Sequence, residues 1–303
     1  NFRDVLNVLG EYPGDPGPPG LDCAGVITSA HSSASSARGG EVFGLGKAPL
    51  ATIISTTRLL LAPKPTSLTF EQACTLPATW STVHVTLERA GFAKGERILL
   101  QAAAGGVGLS AVEYVQRLWG NVIGTAGRPC KHRQLRSLQL RTLCSSRLGP
   151  TFAAGAASLL DGQRAHLVLN SLSNDFISVS SATLGELGVF TELGKLGVWS
   201  HGMHCAAAPH VLLQVIALDT DVERDPTWMH GLLTVLSNRA EEGWVSSLPL
   251  LGFDLESQAE LAFRTLQAGL NIGKVVIRIA ARVHERLRQG GSHAISGGTS
   301  GLG

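Results

Sequence analysis

Three stretches of this chain end in residues that can hold a ligand. Ala103-x-Gly105-x-x-Gly108 lies between the apolar run Ile98 to Leu100 and a run that repeats apolar residues at helical spacing through Leu109, Val112, Val115 and Leu118. A strand, a glycine turn and a helix in that order build a dinucleotide pocket. Gly105 lets the backbone approach a pyrophosphate, Gly108 lets helix and strand pack closely, and the helix start at Gly106 and Val107 offers unpaired N–H groups and a positive dipole end. Ala103 stands where the usual fingerprint has its first glycine. Asn170 and Ser171 close a second apolar run from Ala165, and Gly194 and Lys195 close a third from Gly188. Both runs read as strands ending at the carboxyl edge of a sheet, beyond which open α/β sheets bind ligands.

The segment after the next strand, Asn121 to Thr125, sets the cofactor. About twenty residues past the turn, an NAD enzyme places an acid for the ribose hydroxyls. Here Ala126-Gly127-Arg128 and Lys131-His132-Arg133 follow instead. Arg128 and Lys131 suit a 2′-phosphate that a carboxylate would repel, so the expected cofactor is NADPH. His201-x-x-His204-Cys205, with His210 nearby, has the residue types of a zinc site, but three histidines in a polar loop read more simply as solvated, and no metal is expected.

The elements that must position these residues follow from the whole chain. With 303 residues, 44% hydrophobic and 16% charged, it can bury a large core and divides into two domains. A net charge of +2, scattered along the chain, gives no argument for nucleic-acid or membrane binding, and no apolar run is long enough to span a bilayer. Five cysteines scattered singly suit reduced thiols, and a cytoplasmic location is expected. The chain starts without Met and closes on Gly297-Gly-Thr-Ser-Gly-Leu-Gly303, as a piece of a longer polypeptide would. The first seventy-odd residues, rich in Gly, Pro and Ser, read as a small β-rich module with strands at Cys23 to Ile27 and Ala51 to Ile54 and a loop at Ser32 to Arg38. Phe70 to Ala90 reads as a helix. Strands near Ile98, Val122, Leu143, Val168 and Phe190 then alternate with helices, which is the order of a doubly wound parallel sheet. A helix at Gln258 to Ala268 and a strand at Lys274 to Ile279 return to the first module, and Ala280 to Ser292 reads as a linker.

Taken together, Asn1-Phe-Arg-Asp-Val-Leu6, Tyr12-Pro-Gly14, Cys23-Ala-Gly-Val26, Ala102 to Gly108, Val168-Leu-Asn-Ser-Leu172, Glu192-Leu-Gly-Lys195 and Gly273-Lys-Val-Val276 resemble, in order, the enoyl reductase domains of polyketide and fatty acid synthases. These form a zinc-free branch of the medium-chain dehydrogenase/reductase superfamily. The resemblance implies an α/β Rossmann domain at residues 76–240, a GroES-like β-rich substrate domain at 1–75 and 241–280, and a linker with the start of a ketoreductase domain at 281–303. It implies NADPH-dependent hydride transfer to the β-carbon of an enoyl thioester and protonation of the α-carbon. Lys195 matches the family's proposed catalytic lysine, Asp219 its partner, and Tyr12 a tyrosine linked to α-proton delivery; Leu172 joins Asn170 and Ser171 beside the cofactor. For Tyr12, a ring packed on the prolines of Pro13 to Pro19 is the other reading. His84 stands where many relatives place an aromatic residue lining the site, Gly127 where a serine is common, and the phosphate loop carries an extra residue near Cys130. The implied partners are an acyl carrier protein bearing the substrate on phosphopantetheine, the neighbouring ketoreductase domain and a second copy of the synthase. A free-standing quinone oxidoreductase and a non-catalytic scaffold domain stay open as alternatives.

Overall fold

Residues 1–15, 17–29 and 38–279 are described by a computed structural model. The expected segment at 281–303, and the expected loop Ser32 to Arg38 apart from Arg38 itself, lie outside them. Glycine and proline punctuation in the first module leaves room for short elements: α1 (Phe2–Val8), β1 (Asp22–Val26), β2 (Glu41–Leu45) and β3 (Leu61–Pro63). The three strands form one antiparallel sheet in the order β1-β2-β3. No strand forms at Ala51 to Ile54. There Ile53 is 64% exposed while Ile54 tucks its Cδ1 against Gly46, so the run has no buried face to lay on a neighbour.

The expected helix over Phe70 to Ala90 is two helices, α2 (Phe70–Ala73) and α3 (Pro77–Arg89). Pro77 has no N–H to donate to Ala73 O, so the helical ladder breaks there and restarts with Pro77 in the first turn of α3, where its missing N–H costs nothing. Beyond it the chain alternates as β4 (Arg97–Leu100), α4 (Gly106–Arg117), β5 (Asn121–Ala126), α5 (Pro129–Ser137), β6 (Leu143–Ser145), α6 (Gly149–Leu160), β7 (Ala165–Asn170), α7 (Asp175–Ala182), β8 (Leu184–Glu192), α8 (His201–Ala207) and β9 (Leu212–Val215). The six strands are parallel in the order β6-β5-β4-β7-β8-β9, a doubly wound sheet that reverses direction between β4 and β7. Its sixth strand was not expected from the sequence. Leu212 and Val215 are exposed, as suits a short edge strand with little periodic signal.

The chain ends through α9 (Leu218–Arg224), α10 (Pro226–Glu241), β10 (Leu250–Asp254), α11 (Leu255–Gln267) and β11 (Lys274–Arg278). β11 pairs in parallel with β10 rather than with the β1-β2-β3 sheet. Side chains alternate across β4, so Ile98 and Leu100 join α3 and α4 while Leu99 joins α6 and α7 on the other face. The first of these cores is continuous across both modules: Phe43 and Leu45 of β2 pack in the same cluster as Trp80, Val112 and Leu233. Each such fully buried side chain contributes about 1.5–3 kcal/mol.

A buried ion pair adds a second tie. Lys274 Nζ lies 2.8 Å from Asp22 Oδ2, which also accepts from Asn1 Nδ2, while Asp22 Oδ1 accepts from the Ala78 N–H. Burial works against ionising Asp22, but the Lys274 charge and these hydrogen bonds outweigh it and hold the carboxyl below its usual range. All five cysteines are free, and among the described residues no helix is long and apolar enough to cross a membrane.

Candidate active site

At the switch point the chain leaves β4 through Gln101 and turns at Ala102, whose φ of 49° is left-handed. The turn is held from below. Thr125 Oγ1 accepts the Ala102 N–H at 3.1 Å and donates to Gln101 Oε1, whose amide in turn donates to Ser180 Oγ. Gly108 is required by contact: a Cβ there would stand 2.6 Å from Ala102 O and from Ala103 Cα. Gly105, the N-cap of α4, is extended, and a Cβ on it would meet nothing closer than Ala102 O at 3.3 Å, so its open side is available to a ligand. Ala103 is fully buried and faces β5 instead. Its extra methyl fits because the residue opposite is Gly124, where a Cβ would come within 3.1 Å of Ala103 Cβ. Gly273 pairs with Gly105 across the modules, its N–H donating to Ala104 O. Thus the cradle suits a pyrophosphate over the start of α4 at Gly106 and Val107.

Past the end of β5, Arg128 forms the N-cap of α5 and its guanidinium donates to Ala268 O at 3.2 Å. Lys131, one turn on, is depressed by burial and by the charges of Arg128 and Arg147. Arg147 was not singled out in the sequence. It donates from Nε to Gly127 O at 2.5 Å and completes a group of three cations around that turn. The signal for it was faint, a lone arginine two residues after the strand β6.

The structure brings Tyr12, Lys195 and Asp219 together. Asp219, in the first turn of α9, accepts from Tyr12 Oη at 2.9 Å through Oδ2, while Oδ1 lies 3.6 Å from Lys195 Nζ and accepts from the Thr220 N–H. Burial raises its pKa, but the Lys195 charge and the Tyr12 hydrogen bond prevail and the carboxyl titrates below its usual range. Tyr12 is pushed the other way, first by burial and then by the hydrogen bond and charge of Asp219. The Arg3 guanidinium, 5.7 Å from the centre of the Tyr12 ring, pulls part of that rise back. Arg3 lies on α1, a helix not expected from the sequence, so its place at the site was not legible. The alternative of a Tyr12 ring committed to the prolines does not describe this hydroxyl.

Asn170 and Glu192, the paired last residues of β7 and β8, are both buried. Asn170 Nδ2 donates to Leu172 O and to Glu192 Oε2, leaving Ser171 exposed between them. Gly194 spends its N–H on Glu192 Oε1 at 2.6 Å.

Two expectations are corrected. His84 does not line this site; it stacks on Trp80 with ring centres 4.8 Å apart and bonds Tyr114 Oη through Nδ1, in an aromatic cluster between α3 and α4 that Arg239 caps. The segment after Trp199 is a helix, not a solvated loop. His204 is buried against Phe190 and beside Ser181 Oγ, while His201 and Cys205 face solvent 3.5 Å apart, because residues 201 and 205 share a helix face that points outward. Among the described residues no group of three metal-binding side chains occurs.

A doubly wound sheet with a glycine cradle and a lysine at its carboxyl edge defines an oxidoreductase of the medium-chain dehydrogenase/reductase kind. No protein-family model matches the chain. Among solved structures, CurK enoyl reductase superposes with a TM-score of 0.85 at 32% identity over 92% of this chain and 88% of that one. The CurF ER cyclopropanase from the curacin A biosynthetic pathway superposes with a TM-score of 0.85 at 29% identity. Among curated proteins, erythronolide synthase EryA2 of Saccharopolyspora erythraea is 34% identical over the whole chain, and pikromycin polyketide synthase component PikAII of Streptomyces venezuelae 33%. The chain spans 8% of the length of each of those two synthases. The chain belongs to the enoyl reductases of polyketide synthases.

Proposed function

We propose that the chain reduces an enoyl thioester, carried on the phosphopantetheine arm of an acyl carrier protein, to the saturated acyl thioester with NADPH, inside a cytoplasmic synthase that holds a ketoreductase domain and forms a homodimer. The observation that carries this reading is the convergence of Tyr12, Lys195 and Asp219 at the ligand edge of the sheet. NADPH would lie with its pyrophosphate on the cradle of Gly105, Gly106, Val107 and Gly108. Its 2′-phosphate would meet Arg128 and Lys131, and its nicotinamide would lie near Asn170, Ser171, Leu172 and Gly194. When bound it supplies a hydride to the β-carbon. The substrate side would be formed by residues 1–75 and 241–280, against the nucleotide side at 76–240.

Hydride addition puts negative charge on the thioester oxygen. The Lys195 ammonium stabilises that charge in a site where Asp219 fixes its position. A Tyr12 hydroxyl with a raised pKa stays protonated at neutral pH, yet an enolate carbon is far more basic than a phenolate, so transfer of the Tyr12 proton to the α-carbon runs downhill. Asp219 orients that hydroxyl. Proton and hydride together saturate the double bond.

The test is NADPH oxidation with crotonyl-pantetheine, followed by mass analysis of the product in deuterated water. One deuterium at the α-carbon is expected. Reduction of a quinone with no reduction of the thioester would overturn the reading, and failure to bind NADPH would favour a scaffold domain.

A further inference from the structure

Glu192 is a buried carboxylate at the point where three ligand-bearing loops leave the sheet. Its Oε2 accepts from Asn170 Nδ2 at 2.8 Å, and the same amide group donates to Leu172 O, which closes the loop after β7. Its Oε1 accepts the Gly194 N–H at 2.6 Å, one residue before Lys195. Its main-chain carbonyl accepts the Ile216 N–H, three residues before Asp219. The neighbouring Leu193 N–H donates to Asn170 O, which stitches the first two loops again. The fit is close, since a Cβ on Gly194 would stand 2.7 Å from Glu192 Oε1, and one on Gly197 3.0 Å from Ser173 Cβ in the facing loop.

A strand end with no such junction would leave Lys195 on a loop anchored at one side. Hydride and proton transfer need the cofactor face, the cation and the phenol in register, and misplacement by about 1 Å at such sites costs roughly a hundredfold in rate. We infer that Glu192 is a positioning residue whose carboxylate clamps the Asn170–Leu172 and Gly194–Lys195 segments in register for reaction, while its main-chain carbonyl holds the Ile216–Asp219 segment beside them. Its action runs through Asn170 and Gly194, the groups its two oxygens hold. Burial raises the pKa of the Glu192 carboxyl against the hydrogen bonds from Gly194, Asn170 and Leu193, and both of its oxygens accept, one from Asn170 and one from Gly194.

The inference rests on the enoyl reductase reading, and the experiment separates the two. Glu192→Gln keeps the size but can accept on one oxygen only, so either the Gly194 N–H or the Asn170 amide loses its acceptor. The variant is expected to lower kcat about thirtyfold on the crotonyl thioester. The primary isotope effect with deuterated NADPH should rise, and the affinity for 2′,5′-ADP should stay within threefold. The emission of bound NADPH, which reports nicotinamide order whether or not the thioester is a substrate, should fall. A merely structural role would lower the active fraction and leave the isotope effect and the emission per bound site unchanged; that result overturns the inference, as does unchanged kcat. A wild-type chain that binds NADPH but leaves the thioester intact defeats the functional reading, and the clamp is then judged on the emission. Should Glu192→Gln fail to fold, Gly194→Ala presses on the same carboxylate from the other side and is expected to raise the isotope effect likewise; no rise would overturn the clamp.

Discussion

Lys274 and Asp22 meet at 2.8 Å with side chains 9% and 6% exposed, whereas Lys195 and Asp219 meet at 3.6 Å with side chains 31% and 29% exposed. The residue types are the same, and the surroundings set different tasks. The first pair is saturated by Asn1 and Ala78 and closed off from solvent where the modules join. The second shares its carboxylate with Tyr12 and faces the open edge of the sheet. A cation already bonded and dry contributes to holding the fold; one loosely held can meet a developing oxyanion.

Removing one partner from each pair gives the largest contrast. Lys274→Met strands a buried carboxylate and is expected to cost about 3–5 kcal/mol of stability. Lys195→Met, at a partly solvated pair, should stay within about 1 kcal/mol. Urea midpoints measure both, and equal losses would break the distinction.

Turnover should rank the pairs the other way. Lys195→Ala is expected to lower kcat on the order of a hundredfold, the scale for losing one preorganised donor, with the Kd for NADPH within a few-fold. Asp219→Asn should cost less because the ammonium remains. If Lys195→Ala raised KM and spared kcat, Lys195 would be a uniform binding contact and Tyr12 the leading catalytic group.

A third set of cations, Arg128 and Lys131, lacks a carboxylate partner among the ion pairs of the described residues and, in the proposed reading, would meet the 2′-phosphate of NADPH. A charge-assisted phosphate contact is worth about 1.5–3 kcal/mol. Neutralising both should therefore weaken NADPH tenfold or more and leave NADH nearly unchanged, as titrations of each cofactor would read.

The smallest effect is in pH. Both aspartates titrate below their ordinary range: for each, burial opposes ionisation and is outweighed by the lysine charge and the accepted hydrogen bonds. A depressed carboxylate contributes stability that is present above its unfolded pKa and lost as pH falls through its folded pKa. On acidification the stability gap between wild type and Asp22→Asn should thus close steeply, and the gap to Asp219→Asn only slightly. Equal slopes would mean that solvent screens neither pair differently.

Much of the nucleotide side was legible because its signals are local. The strand, turn and helix around Gly105 are contiguous, and Gly108 is fixed by contact with residues five and six positions away. Signals failed where an element owes its form to neighbours. Ala51 to Ile54 has the composition of a strand but no face to bury, and Leu212–Val215 is a strand because β8 lies beside it. His204 looked solvated, since nothing in its own segment announces that Phe190 and Ser181 will enclose it.

The same division holds for the site as a whole. By itself the sequence determined the parallel α/β order, the phosphate cradle and, through the ordered motifs, which lysine, aspartate and tyrosine to watch. Tertiary structure decided that a hydroxyl at residue 12 bonds a carboxylate 207 positions later, that Glu192 ties three loops at one sheet edge, and which of two lysine–aspartate pairs is dry. The reason is physical: backbone turns and hydrophobic periods are set by near neighbours, whereas desolvation and charge geometry exist only once distant segments have packed.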